Sequence, residues 1–237
     1  MGRIFEKRKD RMFARWAKTA KAFTKVGKEI AIAVKLGSAD PNANPRLRMA
    51  IQTARALNMP KDRIEAAIKR ASSKDEASLQ EVIYEGYAPF GIAIIVETAT
   101  NNPTRTVANV RTIITHHGGT LGTSGSLDYL FTRRGAFTIA PPGSDMDEFE
   151  LEMIDHGLED IFESDEGLLL YCSFENFGTL QKALESRNIE VRSAGLQRSP
   201  LTTVKVSSEQ ESEIEKLLSE LEEDDDVQHV YHNMQLG

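Results

Sequence analysis

The spacing of apolar residues changes once along this chain of 237 residues, at the polar segment 72–76. Before that segment, apolar residues recur every three or four positions, which is the period of an amphipathic helix. After it, short runs typical of strands alternate with further helical stretches. The sequence therefore predicts an all-helical N-terminal head followed by an α+β body.

The balance of charge changes at the same place. Residues 1–75 contain 19 Lys or Arg and 7 Asp or Glu, which gives the head a formal charge of +12. Residues 76–237 contain 10 and 29, so the body carries −19. A polyanion is the partner that best fits a basic head, because each neutralised phosphate releases condensed counterions. The alternative interpretation is a solvated basic surface without a partner.

Three helices are predicted in the head, at residues 18–36, 45–57 and 60–71. Asn44 is the predicted N-cap of the second helix, because Pro45 suits the first helical position and Asn accepts a hydrogen bond from the first turn. The third helix has an acidic residue in its first turn and basic residues in its last, as the helix dipole favours. The head is thus predicted to be a small, basic, antiparallel helical domain.

The body is predicted to contain nine strands and four helices. The predicted strands lie at residues 82–86, 92–97, 127–131, 136–139, 158–162, 168–172, 189–194, 202–206 and 227–232, and the helices at 104–116, 146–156, 177–186 and 209–223. From residue 135 to 197 the order is β-α-β-β-α-β, which is ferredoxin-like. The tail after residue 199 completes no domain alone, so we expect it to pair with residues 80–131.

The predicted fold class is therefore α+β with three domains. The basic helical domain covers residues 1–76, and a discontinuous α+β middle domain covers 77–133 and 199–237. A ferredoxin-like domain at 134–198 is inserted into the middle domain, and both are α/β sandwiches.

Signatures of catalysis are missing from the sequence, which has no Gly-rich phosphate loop, no His-Glu-x-x-His and no nucleophile elbow. The single cysteine, Cys172, excludes an internal disulfide and a Cys-based zinc site, and its apolar surroundings predict a buried thiol. Adjacent His116 and His117 would point about 100° apart on a helix and chelate poorly. We therefore predict a protein that is not an enzyme and has no cofactor, no metal and no obligatory small molecule.

No apolar stretch approaches the ~20 residues that a membrane-spanning helix needs. The N-terminus has no apolar segment followed by a small-residue cleavage site, and the basic residues 3–28 lack the serines typical of a transit peptide. We expect a cytoplasmic protein that does not enter a membrane.

Two polar turns have features typical of segments that bind phosphate groups. The string NPRLR at residues 44–48 opens a helix with two arginines near its positive end, where backbone N–H groups also favour anions. The turn at residues 100–106 carries Arg105, although Asn and Thr there also suit simple helix capping. The predicted nucleic-acid contacts are Lys18, Lys21, Lys25, Lys28, Arg46, Arg48, Lys61 and Arg105.

Several strings resemble the YebC/PmpR family. They are FTK at residues 23–25, NPRLR at 44–48, NMPKD at 58–62, YEGY at 84–87 and SGS at 124–126. The resemblance runs from about residue 18 to the C-terminus and implies three α+β domains with a helical first domain. It implies a non-enzymatic protein, since family members are described as DNA-binding transcriptional regulators and others, including mitochondrial relatives, as translational activators at the ribosome.

One departure from the family concerns the start of the chain. The usual Gly-His-Ser-Lys-Trp stretch is absent, the chain opens MGRIFE, and its single tryptophan is Trp16. If this segment touches the nucleic acid, the departure puts the sequence preference or the partner in question.

The predicted function is a nucleic-acid-binding regulator of gene expression, of the DNA-binding transcriptional type. The alternative is a ribosome-associated translation factor that binds ribosomal or transfer RNA. No recognition helix with side chains arrayed for base edges is evident, which favours backbone and shape contacts. We expect affinity to fall steeply with salt and charge reversal at Arg46 and Arg48 to flatten that slope. A small-molecule sensor is suggested only by the ferredoxin-like unit.

Overall fold

A computed structural model of the chain describes the backbone of residues 2–73, 79–143, 145–164 and 167–235, and the side chains of these ranges from residue 19 onwards. Within these residues the protein is an α+β structure with seven α-helices and two four-stranded antiparallel sheets. No helix in these ranges is both long enough and apolar enough to cross a membrane.

The helices and strands follow one another along the whole chain. The helices are α1 (Gly2–Leu36), α2 (Pro45–Ala56), α3 (Lys61–Ala71), α4 (Pro103–His116), α5 (Met146–Asp155), α6 (Phe177–Ser186) and α7 (Ser208–Glu223). The strands are β1 (Gln80–Tyr87), β2 (Ala93–Thr100), β3 (Thr120–Leu121), β4 (Phe131–Ile139), β5 (Leu158–Ser164), β6 (Gly167–Ser173), β7 (Val191–Pro200) and β8 (Val227–His232).

The three predicted helices of the head are confirmed, and the first of them begins at Gly2. Asn44 caps α2 as predicted, because its Oδ1 accepts a hydrogen bond from the N–H of Leu47 at 3.1 Å. The Asn44 amide also donates to the carbonyl oxygens of Ala33 and Ser38, each at 2.7 Å. One buried side chain therefore begins α2 and ties it to the end of α1. Ile30, Leu47 and Ile64 bring one apolar residue of each helix into the core.

The first sheet joins two distant parts of the chain in the order β3-β1-β2-β8. Strand β8 pairs antiparallel with β2, so the predicted pairing of the tail with residues 80–131 is confirmed. Ile94 and Val96 of β2 pack with α4 and α7, whereas Ile95 on the other face packs with Leu127 and Phe131. The sheet is therefore buried on both faces.

The second sheet has the order β5-β6-β4-β7 and lies wholly between residues 131 and 200. The predicted order β-α-β-β-α-β is confirmed here. Phe137, Phe149 and Leu170 are fully buried between the sheet and helices α5 and α6. The rings of Phe137 and Phe177 are stacked with their centroids 4.6 Å apart.

Three of the predicted strands differ from the structure, and β3 has no counterpart among the predicted strands. Residues 127–131 are not a strand, since Asp128–Leu130 is a short 3-10 helix and Phe131 begins β4. Residues 202–206 are not a strand either, because only Val204 forms a bridge, to Met234. Strand β7 continues to Pro200 because it pairs along the full length of β4. Of the predicted hinge at 72–76, residues 74–76 lie outside the described residues.

Candidate nucleic-acid interface

Two lysines of α1 reach the C-terminal end of α7. The Nζ of Lys21 donates to the carbonyl oxygen of Glu223 at 3.1 Å, and the Nζ of Lys25 donates to that of Glu222 at 2.9 Å. The last turn of a helix has carbonyls without intrahelical donors and carries the negative end of the helix dipole, so ammonium groups are favoured there. The head thus supplies the body with a cap for α7.

A third lysine, Lys28, extends this contact to a buried carboxylate. Its Nζ donates to Oδ1 of Asp226 at 2.7 Å and to the carbonyl oxygens of Asp225 and Ala99 at 2.8 and 3.1 Å. The lysine side chain is 18% exposed and that of Asp226 only 7%. This contact therefore joins α1 to both β2 and the segment after α7.

Asp226 also holds the start of α4. Its Oδ2 accepts hydrogen bonds from Nη2 of Arg105 at 2.7 Å and from the hydroxyl of Thr106 at 2.8 Å. Burial alone would raise the pKa of this carboxyl, but hydrogen bonds from Lys28, Arg105 and Thr106 outweigh it and lower the pKa of Asp226 to about 2. Arg105, predicted as a nucleic-acid contact, is 50% exposed and already has an anionic partner.

Arg46 joins the head to β1. Its Nε donates to Oε1 of Glu29 at 2.9 Å, and its terminal nitrogens donate to the carboxylate of Glu81. Burial opposes the charge of the guanidinium, yet hydrogen bonds to Glu81 and Glu29 raise the pKa of Arg46. Like Arg105, the predicted contact Arg46 therefore already has anionic partners within the chain.

The other three predicted contacts differ in their surroundings. Arg48 is half-buried, and its Nε is a buried donor without a hydrogen-bond partner among the described residues. Lys61 is 86% exposed, with a carboxylate oxygen of Glu65 at 3.6 Å one helical turn away. The side chain of Lys18 lies outside the described residues.

Sequence reasoning missed four exposed cations on α2 and α3 as candidate contacts. They are Arg55 near the end of α2 and Arg63, Lys69 and Arg70 on α3. The guanidinium of Arg63 lies over the ring of Phe23, 5.8 Å from its centroid. The helical period could have identified them from the sequence, because all four lie off the buried apolar stripe of their helix. We call these four residues and Lys61 the outer cations, and Lys21, Lys25, Lys28 and Arg105 the seam cations.

A second buried carboxylate organises the loop at residues 122–127. Glu85 is 4% exposed, and its carboxylate accepts hydrogen bonds from the N–H groups of Leu127 at 2.6 Å and Gly125 at 2.7 Å. The hydroxyl of Ser126 lies 3.4 Å from the same carboxylate. The neighbouring residues Thr123 and Ser124 are exposed, so the loop presents small polar groups on a fixed backbone.

Exposed aromatic side chains lie on and beside the end of β1. Tyr87 is 37% exposed and Phe90 is 45% exposed, and Tyr129 after the loop is 69% exposed. The neighbouring Tyr129 hydroxyl raises the pKa of the Tyr87 hydroxyl, so the polar ends of these two side chains lie close together. Phe90 has a φ of 63°, an uncommon backbone conformation for a bulky residue.

The histidines predicted to diverge are close to a common carboxylate. The ligating atoms of His116, His117 and Glu220 lie within 4.8 Å of one another, and Nε2 of His117 is 2.7 Å from Oε2 of Glu220. Since His117 follows α4 and Glu220 lies on α7, this contact is an ion pair between the two helices when the imidazole is protonated.

Cys172 is fully buried, as predicted. Burial, with a smaller contribution from Glu159, raises the pKa of its thiol to about 11, so little of the reactive thiolate exists at neutral pH. We expect the native protein to react with iodoacetamide at pH 7.5 at least about a hundredfold more slowly than the protein in 6 M guanidinium. Mass spectrometry of timed samples measures both rates, and rapid native alkylation would contradict the packing around Cys172.

Comparison with known proteins follows the same division of the chain. Residues 3–74 match the family model described as the TACO1/YebC protein N-terminal domain, and residues 79–234 match the TACO1/YebC second and third domain. A "probable transcriptional regulatory protein" of Flavobacterium johnsoniae is 51% identical over 234 residues, which cover 99% of each chain. One of Anaeromyxobacter dehalogenans with the same description is 53% identical over 239 residues, 99% of this chain and 100% of the relative.

A solved structure has the same fold. The crystal structure of a conserved hypothetical protein from Aquifex aeolicus is 38% identical, with a TM-score of 0.84 over 92% of this chain and 91% of that chain. The relatives are named as regulators, and both family models together span nearly the whole sequence. The chain therefore belongs to the TACO1/YebC family.

Proposed function

We propose that the protein is a non-enzymatic regulator of gene expression that binds nucleic acid through its basic head. The observation that carries the proposal is the set of outer cations, five exposed Lys or Arg side chains on two short helices. The body has 29 acidic and 10 basic residues, so it would repel a polyanion and orient the head towards it. The names of the relatives as transcriptional regulatory proteins support this role.

The three-domain division predicted from the sequence remains our proposal. Residues 1–76 form the head, residues 77–133 and 199–237 the middle domain, and residues 134–198 an inserted ferredoxin-like domain. Separate clusters of buried residues support this division, since each of the head, the first sheet and the second sheet has its own core.

We propose that the contacts are made to the phosphate backbone. Lys18, Lys61 and Arg48 remain candidates from the sequence, and the outer cations on α3 extend them. Lys and Arg on helix surfaces bind phosphates without reading bases, which suits a regulator of low sequence specificity. Arg46 holds Glu29 and Glu81, so its contribution to binding would be the position of the head.

Duplex DNA is the proposed target, because the relatives are named transcriptional regulatory proteins and transcription is regulated on duplex DNA. A ribosome-associated role with ribosomal or transfer RNA is the second candidate, and the exposed rings of Tyr87, Phe90 and Tyr129 favour it. Aromatic side chains stack on unpaired bases, which RNA loops offer and duplex DNA does not. Co-sedimentation with ribosomes and footprinting on promoter DNA distinguish the two targets.

Neutralising two outer cations should weaken binding and flatten its salt dependence. For Lys69→Gln/Arg70→Gln we expect about a fivefold to tenfold loss of affinity at low salt, because two phosphate contacts disappear. The slope of log K against log salt should fall in magnitude by up to about 1.8 for duplex DNA. Fluorescence anisotropy with a labelled duplex of about 20 base pairs, between 50 and 300 mM salt, measures both effects.

The matched control removes two exposed lysines of the body, in the variant Lys205→Gln/Lys216→Gln. It changes the net charge equally, so it reports the effect of overall charge alone. We expect less than about a twofold change in its affinity. Equal losses in both double variants, or binding that does not depend on salt, would contradict the proposed interface.

A further inference from the structure

The seam cations already bind anionic and carbonyl groups at the end of α7. Residues 222–226, the acidic end, contribute five carboxylates and the carbonyl oxygens that Lys21 and Lys25 contact at 3.1 and 2.9 Å. Oxygen atoms of this kind are what a phosphate backbone would offer to the same ammonium groups. The acidic end therefore occupies the side of α1 that the sequence predicts for nucleic acid.

Among the residues of the acidic end, Asp226 has surroundings most like those of a bound anion. Its carboxylate lies by the first turn of α4, between Lys28 and Arg105 at 2.7 Å each, and accepts a hydrogen bond from the Thr106 hydroxyl at 2.8 Å. Two cations and a hydroxyl beside a helix N-terminus are the usual components of a phosphate site. In this fold those groups are satisfied by the chain itself.

We propose that the acidic end is an internal competitor of nucleic acid, so that a polyanion reaches the seam cations only by displacing residues 222–226. This inference rests on the proposed function and adds its regulation. The outer cations bind first in this scheme, because none of them contacts the acidic end among the described residues, and Lys61 has only the exposed Glu65 carboxylate at 3.6 Å beside it. The seam cations add affinity only when the head and the end of α7 separate.

A double-mutant cycle tests the competition. One pair of substitutions, Lys21→Gln/Lys25→Gln, removes two seam cations. The other, Glu222→Gln/Asp225→Asn, removes two exposed carboxylates of the acidic end and leaves Asp224 and Asp226 in place. The matched background is Glu213→Gln/Glu215→Gln, which removes two exposed carboxylates from the preceding turns of the same helix.

In the wild-type and matched backgrounds, loss of the two lysines should change affinity by less than about twofold, because their charges are already engaged. In the Glu222→Gln/Asp225→Asn background the same loss should cost about fivefold or more. The substitutions keep the carbonyl oxygens that the lysines contact, but they remove two negative charges that act on Lys25, so a phosphate replaces those contacts more easily. Glu222→Gln/Asp225→Asn alone should bind at least about threefold more tightly than the matched variant. The probes are a fluorescein-labelled duplex DNA and an RNA hairpin, each of about 20 base pairs, and thermal melting establishes that every variant is folded.

The possible results separate the inference from the proposed function. If the wild type binds a probe and the lysine pair costs the same in every background, the competition is wrong and the proposed function stands. If neither probe binds any of these proteins at 50 mM salt, the proposed function is wrong and the inference falls with it. A cost confined to the background with a neutralised acidic end supports both.

Discussion

Unfolding of a Glu85→Ala variant should require about 3 kcal/mol less free energy than unfolding of the wild type. The substitution removes the acceptor for the N–H groups of Gly125 and Leu127, and the Leu127 contact is buried. Buried donors that lose their partner keep the cost of leaving water, which exceeds the net value of an ordinary hydrogen bond. Urea unfolding at pH 7, followed by circular dichroism, measures the difference.

Two further variants make the Glu85 result specific to the carboxylate. Glu85→Gln keeps the shape of the side chain and one acceptor oxygen, but its NH2 group faces one of the two backbone N–H groups, where both are donors. We therefore expect about half the loss of unfolding free energy that Glu85→Ala causes. Gln80→Ala, at an exposed site on the same strand, should change stability by less than about 0.5 kcal/mol. A Glu85→Ala protein within that margin of the wild type would mean that the loop at residues 122–127 is held by other contacts.

The helices of the head could be predicted from the sequence because their signals are local. The cap at Asn44, the proline after it and the apolar stripe that includes Ile30 all act within a few residues. The order β-α-β-β-α-β was predictable for the same reason, since each element has its own period. Local signals therefore account for most of the elements, though less well for their ends.

The partners of the lysines could not be predicted, because they come from the far end of the chain. Helical spacing places Lys21 and Lys25 off the apolar stripe of α1, which indicates solvent when no other element is known. Their partners Glu223 and Glu222 lie 202 and 197 residues away. The charge counts indicate a basic head and an acidic body in one chain, but the spacing of residues does not predict that these two surfaces contact each other.

The error at residues 127–131 has a similar cause. Leu127 reads as the start of a strand because it is apolar and precedes another apolar pair. In the structure its N–H is bound by Glu85, 42 residues earlier, and its side chain fills the face of the first sheet opposite α4. A tertiary hydrogen bond therefore replaces the ladder that the pattern predicts.

Neutralising Asp226 should remove about 2 kcal/mol of stability at pH 6, and the loss should depend on pH. The pKa of this carboxyl in the folded protein is about 2, below its ordinary value of 3.8. A group with a lowered folded pKa contributes its full stability above the unfolded pKa and loses it as the pH falls through the folded pKa. The difference between the wild type and Asp226→Asn should therefore be constant above about pH 5 and shrink between pH 4 and pH 2.

If the lowered pKa of Asp226 causes this pH dependence, the effect must belong to that buried carboxylate and not to acidic residues in general. Asp225→Asn is the matched control, because Asp225 is exposed and its contact with Lys28 uses the backbone carbonyl, which the substitution keeps. We expect its stability to stay within about 0.5 kcal/mol of the wild type from pH 6 to pH 3. Urea midpoints measured at half-unit steps of pH give both curves.

If the difference in stability between Asp226→Asn and the wild type stays constant down to pH 2.5, protonation of Asp226 does not release Lys28 and Arg105. The joint between α1, α4 and the end of α7 would then rest on packing and not on this ion pair.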